Sequence, residues 1–374
     1  MNKKSILILA FQIYPRLNPR AHRATELAKE LAKLGHEVCL AGVLGKYDYT
    51  SFEKENNLKV IDLGKSIFEW RDSDEDRPIN SKKDLWKKGV AYCLRKRFLF
   101  PESLLNRRIA KLLNKKSFDG IITIAEPYAA HFAVSKFFKK HPNKKNCVWI
   151  SDCGDPFMGN PHSHHPAFFE KVERQWCQLT DYIAVPTEVA IDAYYPEYRE
   201  KIKVIPQGFL FDDSLLAEYT KNTVPTFAYS GMVYPQKRDP RRFLDYLVTK
   251  EYDFHFVVYT KHTELFAPYK EKLGGKMEFR SYVPREQLIH ELSKMDFLIN
   301  IRNESTVQVP SKLIDYYLTH RPVLEISSAF EEAEMFDAFM SGDYSKQTTI
   351  EHPERYNIQN VARQFEDLLQ TNSK

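Results

Sequence analysis

The run Pro310, Ser311, Lys312, Leu313, Ile314, Asp315 puts a cation and a carboxylate three residues apart at the start of a segment with helical periodicity. Pro310 fixes its own φ where a helix can begin, and Leu313, Ile314, Tyr317 and Leu318 then recur at helical spacing. Upstream, Phe297 to Ile301 is an apolar run of strand length; downstream, Pro322 ends the helix and Val323 to Ile326 reads as the next buried strand. A helix that opens after a parallel strand presents its first N–H groups at the carboxyl edge of the sheet, where they hold an anion. Lys312 adds charge in that first turn, and Asp315 is placed to accept hydrogen bonds from sugar hydroxyls. The chemistry in outline is a phosphate held beside a hydroxylated ring. The plainer alternative is an ordinary α/β unit with an exposed lysine and aspartate.

A second group of reactive side chains lies earlier in the chain. Glu126, followed by Tyr128 and His131, comes directly after the strand-like Gly120 to Ala125, and Cys147 to Ser151 runs into Asp152, Cys153, Gly154, Asp155 and Pro156. Polar residues at the carboxyl ends of strands form the ligand crevice of open α/β sheets. Glu126, Asp152 and Asp155 are therefore the candidate chemical groups of this edge, although each also reads as a helix cap or a ligand for backbone N–H groups. His162, His164 and His165 cluster on a Pro-rich loop without acids at helical spacing, so no metal is assigned to them. The five cysteines are scattered with no C-x-x-C pair, so neither a thiolate zinc site nor a disulfide framework is suggested, and a reducing, cytoplasmic setting is the simplest.

The elements that must position these groups are two β/α series. A chain of 374 residues, 43% hydrophobic, suits two domains of average size. Ser5 to Phe11, a helix from Arg23 to Leu34 and Val38 to Val43 make a βαβ opening, but no G-x-G-x-x-G follows the first strand, so a dinucleotide site is not expected. Asp181 to Pro186 and Lys203 to Ile205 read as the last strands of this domain. Pro206, Gln207 and Gly208 make a hinge. Strands at Thr226 to Ser230, Phe254 to Tyr259 and Met277 to Arg280 alternate with helices at Arg242 to Val248, Leu265 to Leu273 and Arg285 to Lys294. The expected domains are 1–206 and 207–355, with a helix at about 356–372 packing back on the first.

Between Lys82 and Lys116, twelve Lys or Arg residues face only Asp84 and Glu102, interleaved with Trp86, Phe98, Leu99 and Phe100. That mixture suits an anionic membrane surface. Nucleic acid attracts the same charge, but a net charge of +5 is mild and no nucleic-acid partner is assigned. The alternative is a solvated helical face packed on the sheet. No apolar run is long enough to span a bilayer, and the charged N-terminus is not a signal peptide, so the protein is expected in the cytoplasm or peripherally on the inner face of its membrane.

Taken together these segments resemble, over nearly the whole chain, the nucleotide-sugar glycosyltransferases of GT-B fold, most closely the family 4 group. The text FAYSGMVYPQKRDPRRFLDYL is similar to the family's glycine loop followed by a cation, which implies that Gly231, Lys237 and Arg238 bind the donor diphosphate. SYVPREQLIHELSKMDFLIN is similar to the nucleobase segment and implicates Tyr282 and Val283. The resemblance carries over Ser311, Lys312, Leu313 and Asp315 to the donor as well. Three departures stand out. The interdomain signature reads KVIPQGF, with Gln207 for the usual Asn. The paired glutamates fall on Val307 and Asp315, with Glu304 three residues before the first. The N-terminal loop has Arg20 and Ala21 where the family has Gly-Gly. Arg16, Arg20 and His131 are the acceptor-side candidates, and Glu126-Pro127 is similar to a His-Glu-Pro run of some relatives.

The resemblance implies an α/β, GT-B architecture of two Rossmann-like doubly wound domains facing a central cleft. It also implies a hexosyltransferase working with retention, on a glycan or lipid-linked acceptor, in bacterial surface polysaccharide or glycolipid synthesis. No cofactor or metal is expected, because cations meet the charge that grows on the diphosphate leaving group. Closure about Gln207 and Gly208 would exclude water from the donor. Two other readings fit the same architecture: a nucleotide-sugar 2-epimerase, and a non-catalytic membrane or polysaccharide-binding relative.

Overall fold

The computed structural model describes residues 2–16, 18–64, 102–161, 163–235, 238–281, 283–302 and 311–371. It divides into two compact units, Met1–Phe209 with Arg355–Lys374, and Leu210–Glu354. The sequence placed the junction three residues earlier.

The first unit is built on seven parallel strands: β1 Ser5–Leu9, β2 Glu37–Gly42, β3 Lys59–Asp62, β4 Gly120–Ala125, β5 Val148–Cys153, β6 Tyr182–Val185 and β7 Ile202–Val204. Their order is β3-β2-β1-β4-β5-β6-β7. The central strands are nearly unbroken apolar runs because helices cover both faces of a parallel sheet. All six residues of β4 and of β5 are buried. The helix Pro19–Lys33 begins with Asn18 as its cap, the side chain accepting from Ala21 N at 3.0 Å, and with proline in its first turn. Its start lies four residues before Arg23, which places Arg20 in the first turn. The C-terminal helix Ile358–Gln370 packs on Pro19–Lys33, and His36 Nε2 meets Glu366 Oε1 at 3.1 Å beneath it.

The second unit has five parallel strands: β8 Thr226–Ser230, β9 His255–Tyr259, β10 Met277–Arg280, β11 Phe297–Ile301 and β12 Val323–Ile326. Their order is β10-β9-β8-β11-β12. One face of the sheet carries a core dominated by Phe227, Phe243, Phe256, Phe297 and Phe336. The strand order reverses at β1/β4 in the first unit and at β8/β11 in the second. Such switch points leave a crevice at the carboxyl ends of the strands, because the adjoining connections depart to opposite faces.

Most of the basic stretch lies outside the described residues. Its last part forms the helix Asn106–Lys115, which buries Ile109 and Leu113 in the core while Arg107, Lys111 and Lys115 are exposed. There the apolar side is already used by the protein's own sheet, so only the cations face outward. Among the described residues no helix is long and apolar enough to cross a membrane.

Candidate functional site

The switch point of the second unit brings together the loop after β8 and the helix after β11. Gly231 ends β8 with φ +134, its N–H bonded to Tyr259 O at 2.9 Å. Lys312 arrives from the first turn of Ser311–Tyr317 and lies directly against it. A Cβ on Gly231 would fall 2.7 Å from Lys312 Cε and 2.8 Å from Nζ, so glycine is needed for both φ and space. Lys312 Nζ sits 3.9 Å from the centroid of the Tyr229 ring. The stem of the side chain is half-buried, but Nζ itself is shut off from solvent and has no hydrogen-bond partner among the described residues. Burial, and then the charge of Arg238, holds its pKa well below the usual lysine range. A buried donor of this kind costs stability until an acceptor arrives. The surroundings are otherwise satisfied: Tyr316 Oη accepts from Ser230 N at 2.7 Å, and Tyr229 Oη donates to Met232 O at 2.9 Å.

Arg238 is fixed by its backbone, which exchanges hydrogen bonds with Tyr234 at 3.0 and 3.2 Å. Asp315 is engaged from the neighbouring helix: Arg285 Nε donates to its Oδ1 at 2.7 Å. Val283 and Leu313 pack at the edge of the core formed by Ala228, Val257 and Tyr316. Ser311–Tyr317 is only seven residues long, so its dipole is small and the charge at this edge rests chiefly on side chains. Lys237, Tyr282, Glu304 and the side chain of Ser311 lie outside the described residues.

The switch point of the first unit gathers Glu126, Arg20 and Asp155. Arg20 lies over Gly154, where a Cβ would meet its Cζ at 2.1 Å, and its Nη1 donates to Ala125 O at 3.5 Å. Glu126 has exposed surface, yet neighbouring atoms crowd its carboxyl enough that desolvation raises its pKa. Repulsion from Asp155 adds to the rise and Arg20 opposes it. The Tyr128 hydroxyl donates to Asp155 O and fixes that loop. Arg16 lies in the loop after β1, close enough to act electrostatically on Tyr49.

Two sequence-based candidates do not belong to this edge. Asp152 is 3% exposed, with Oδ1 and Oδ2 accepting from Arg23 Nη2 at 2.8 Å and Nε at 3.1 Å. Arg23 also donates to Pro206 O and to Ile205 O, so Asp152 is committed to holding the guanidinium that ties down the chain after β7. His131 is fully buried against Trp176 and Tyr128, its Nε2 3.4 Å from Cys153 Sγ. Burial lowers its pKa to about 3, so it is a neutral core histidine and no acceptor contact. His165 stacks on Phe157 at 3.9 Å; His162 lies outside the described residues. Arg23, Tyr229 and Arg285 are site-supporting residues that sequence reasoning missed. Arg23 could have been suspected as a cation on the otherwise apolar face of its helix.

No family model and no curated protein matches this chain. Solved structures do. A glycosyltransferase from Rickettsia africae is 14% identical and superposes over 100% of both chains with a TM-score of 0.63. HepE from Anabaena, in complex with UDP-glucose, is 10% identical over 98% of this chain and 100% of its own, at 0.61. A UDP-GlcNAc 2-epimerase from Neisseria meningitidis, bound to UDP-GlcNAc, is 14% identical over 98% and 100%, at 0.59. The fold is GT-B.

Proposed function

We propose that this GT-B protein is a glycosyltransferase that moves a sugar from a nucleoside-diphosphate donor to a glycan or lipid-linked acceptor. The observation that carries the reading is Lys312: a buried amine with no hydrogen-bond partner among the described residues, pressed against a glycine at a topological switch point, suits an anionic ligand. A diphosphate supplies the oxygen acceptors that Lys312 Nζ needs, and its charge returns the amine to the ammonium form. Arg238 and Lys237 contribute further charge. As the glycosidic bond breaks, negative charge grows on the departing phosphate, and these cations stabilise it more than they stabilise the ground state. Asp315, held by Arg285, faces the donor's hydroxyls, and Val283 lies beside the base. Gly231 and Leu313 allow close approach, and Glu304 and Ser311 complete the donor side. Glu126 and Asp155 serve the acceptor or the reacting face, with Arg16 and Arg20 beside them. Transfer proceeds with the anomeric configuration retained, as the resemblance to the family 4 group implies. The structures of HepE with UDP-glucose and UDP support a uridine nucleotide as the first donor to try. The lipopolysaccharide outer core galactosyltransferase WaaB, 11% identical with a TM-score of 0.58, supports a surface glycan as the acceptor, with 82–116 meeting the anionic membrane.

The Neisseria epimerase keeps one other reading in view, conversion of the donor without an acceptor. Incubating the protein with a panel of nucleotide sugars, with and without oligosaccharide and glycolipid acceptors, separates the two. Acceptor-dependent release of nucleoside diphosphate supports transfer, whereas a C2-epimeric donor formed without acceptor supports the epimerase.

A further inference from the structure

Four aromatic rings gather at the carboxyl edge of the first sheet: Tyr14 after β1, Tyr47 and Tyr49 after β2, and Phe52 in the helix Thr50–Asn56. Tyr14 stacks on Phe52 with centroids 5.2 Å apart and planes at 11°, and Tyr47 meets Tyr14 at 5.4 Å and 89°. The inner pair is buried, but Tyr14 and Tyr47 remain 36% and 41% exposed. Their placement is fixed from behind. Tyr14 N donates to Thr25 Oγ1 at 3.0 Å, the Tyr49 hydroxyl donates to Tyr14 O, and Tyr47 meets Tyr49 at 4.8 Å. Tyr14 and Tyr47 therefore hold a fixed arrangement while each keeps more than a third of its surface open.

The chemistry around them selects an occupant. Asp48 and Glu55 flank Tyr47, and Asp62 and Arg16 flank Tyr49, while Lys29 Nζ lies 5.8 Å from the Phe52 ring. Mixed charge of this kind favours neither a phosphate-rich ligand nor a cation. Tyrosine pairs a flat apolar face with a polar rim at small conformational cost. A pyranose ring matches it, with a C–H face to lie on the ring and a rim of hydroxyls to meet the polar edge.

We infer that Tyr14 and Tyr47 seat a pyranose ring of an oligosaccharide acceptor. The inference rests on the glycosyltransferase reading and deepens it, since β1 and β4 are neighbours and the platform shares a sheet edge with Arg20 and Glu126. A carbohydrate portion, not a lipid tail, is then what the first unit recognises.

The full-length protein, fluorescently labelled, is applied to an array of bacterial surface oligosaccharides, and thermal shifts with UDP, GDP, ADP and dTDP are recorded in parallel. Tyr14→Ala and Tyr47→Ala are each expected to weaken oligosaccharide binding about tenfold, the size of one lost ring contact, while Tyr47→Phe keeps it within about twofold. Matching circular dichroism excludes misfolding, and Tyr47→Phe preserves the packing if Tyr47→Ala does not fold. Alanine variants that bind like wild type, or a wild type that binds no oligosaccharide, overturn the inference. Absence of any nucleotide shift refutes the donor reading instead, and the array still decides the platform.

Discussion

Replacing Lys312 by methionine should make the protein more stable and a worse nucleotide binder at once. Its Nζ is buried without a hydrogen-bond partner among the described residues, and leaving such a donor unsatisfied costs about 1–3 kcal/mol. Methionine has a similar length and retains a favourable contact with the Tyr229 ring, of about 0.3–1.5 kcal/mol. A net gain of about 1 kcal/mol raises Tm by about 2–4 °C. Against this, a charge-assisted hydrogen bond to phosphate is lost, about 2 kcal/mol or on the order of thirty-fold in Kd. The pH dependence separates the two effects. The folded pKa of Lys312 lies below the unfolded lysine value of about 10.4. Between those values the unfolded chain binds more protons, so wild-type stability rises with pH through that window. The methionine variant should lack this increment. Diphosphate binding restores the ammonium and takes up a proton, so affinity falls as pH rises above the free pKa. Calorimetry in buffers of different ionisation enthalpy measures that uptake directly. A variant with lower Tm and unchanged nucleotide affinity would show Lys312 to be a packing residue and remove the anion site.

Three further outcomes follow from the same geometry. Asp152→Asn should destabilise the protein by about 3–5 kcal/mol in urea titration, because it strands the buried Arg23 guanidinium. A loss of transfer with unchanged stability would instead return Asp152 to the chemistry. Glu126→Gln should lower kcat, and because the wild-type carboxyl pKa is raised, the acid limb of the wild-type profile should lie above the ordinary glutamate value of about 4.3. An identical profile in the variant assigns that limb elsewhere. Changing Lys87, Lys88, Arg95 and Arg97 to Glu should abolish salt-sensitive sedimentation with anionic liposomes while leaving nucleotide binding intact. Equal sedimentation of both proteins would remove the membrane from the account.

What could be read from the chain beforehand follows a physical pattern. The strands of the second unit were placed to within a residue, since buried parallel strands are short apolar runs between turn residues. The helices Ala129–Lys140 and Ala333–Ser341 were not assigned. The first buries nine of its twelve residues, leaving almost no polar face to carry a period. The edge strand Lys59–Asp62 is only four residues long and half-buried or exposed. Lys312 was singled out from its place after Pro310, but its loss of solvent depends on Gly231 and Tyr229, more than eighty positions away. The burial of Asp152 and His131 is hidden from the sequence for the same reason. An acid at a strand end looks available until Arg23, 129 positions away, is seen to hold it. Local spacing shows which edge a side chain is near, and only the fold shows whether it faces ligand or core.

A transferase consumes a nucleoside-diphosphate sugar only in favour of an acceptor, and that dependence can be measured directly. Purified protein is incubated with UDP-, GDP-, ADP- and dTDP-sugars, with and without oligosaccharide and glycolipid acceptors, and nucleoside diphosphate is quantified alongside the glycan product. The account predicts release from one donor class, stimulated by acceptor, matched by a sugar of retained anomeric configuration on the product, and impaired about thirty-fold by Lys312→Met. No release from any donor, or release unaffected by Lys312→Met, would contradict it.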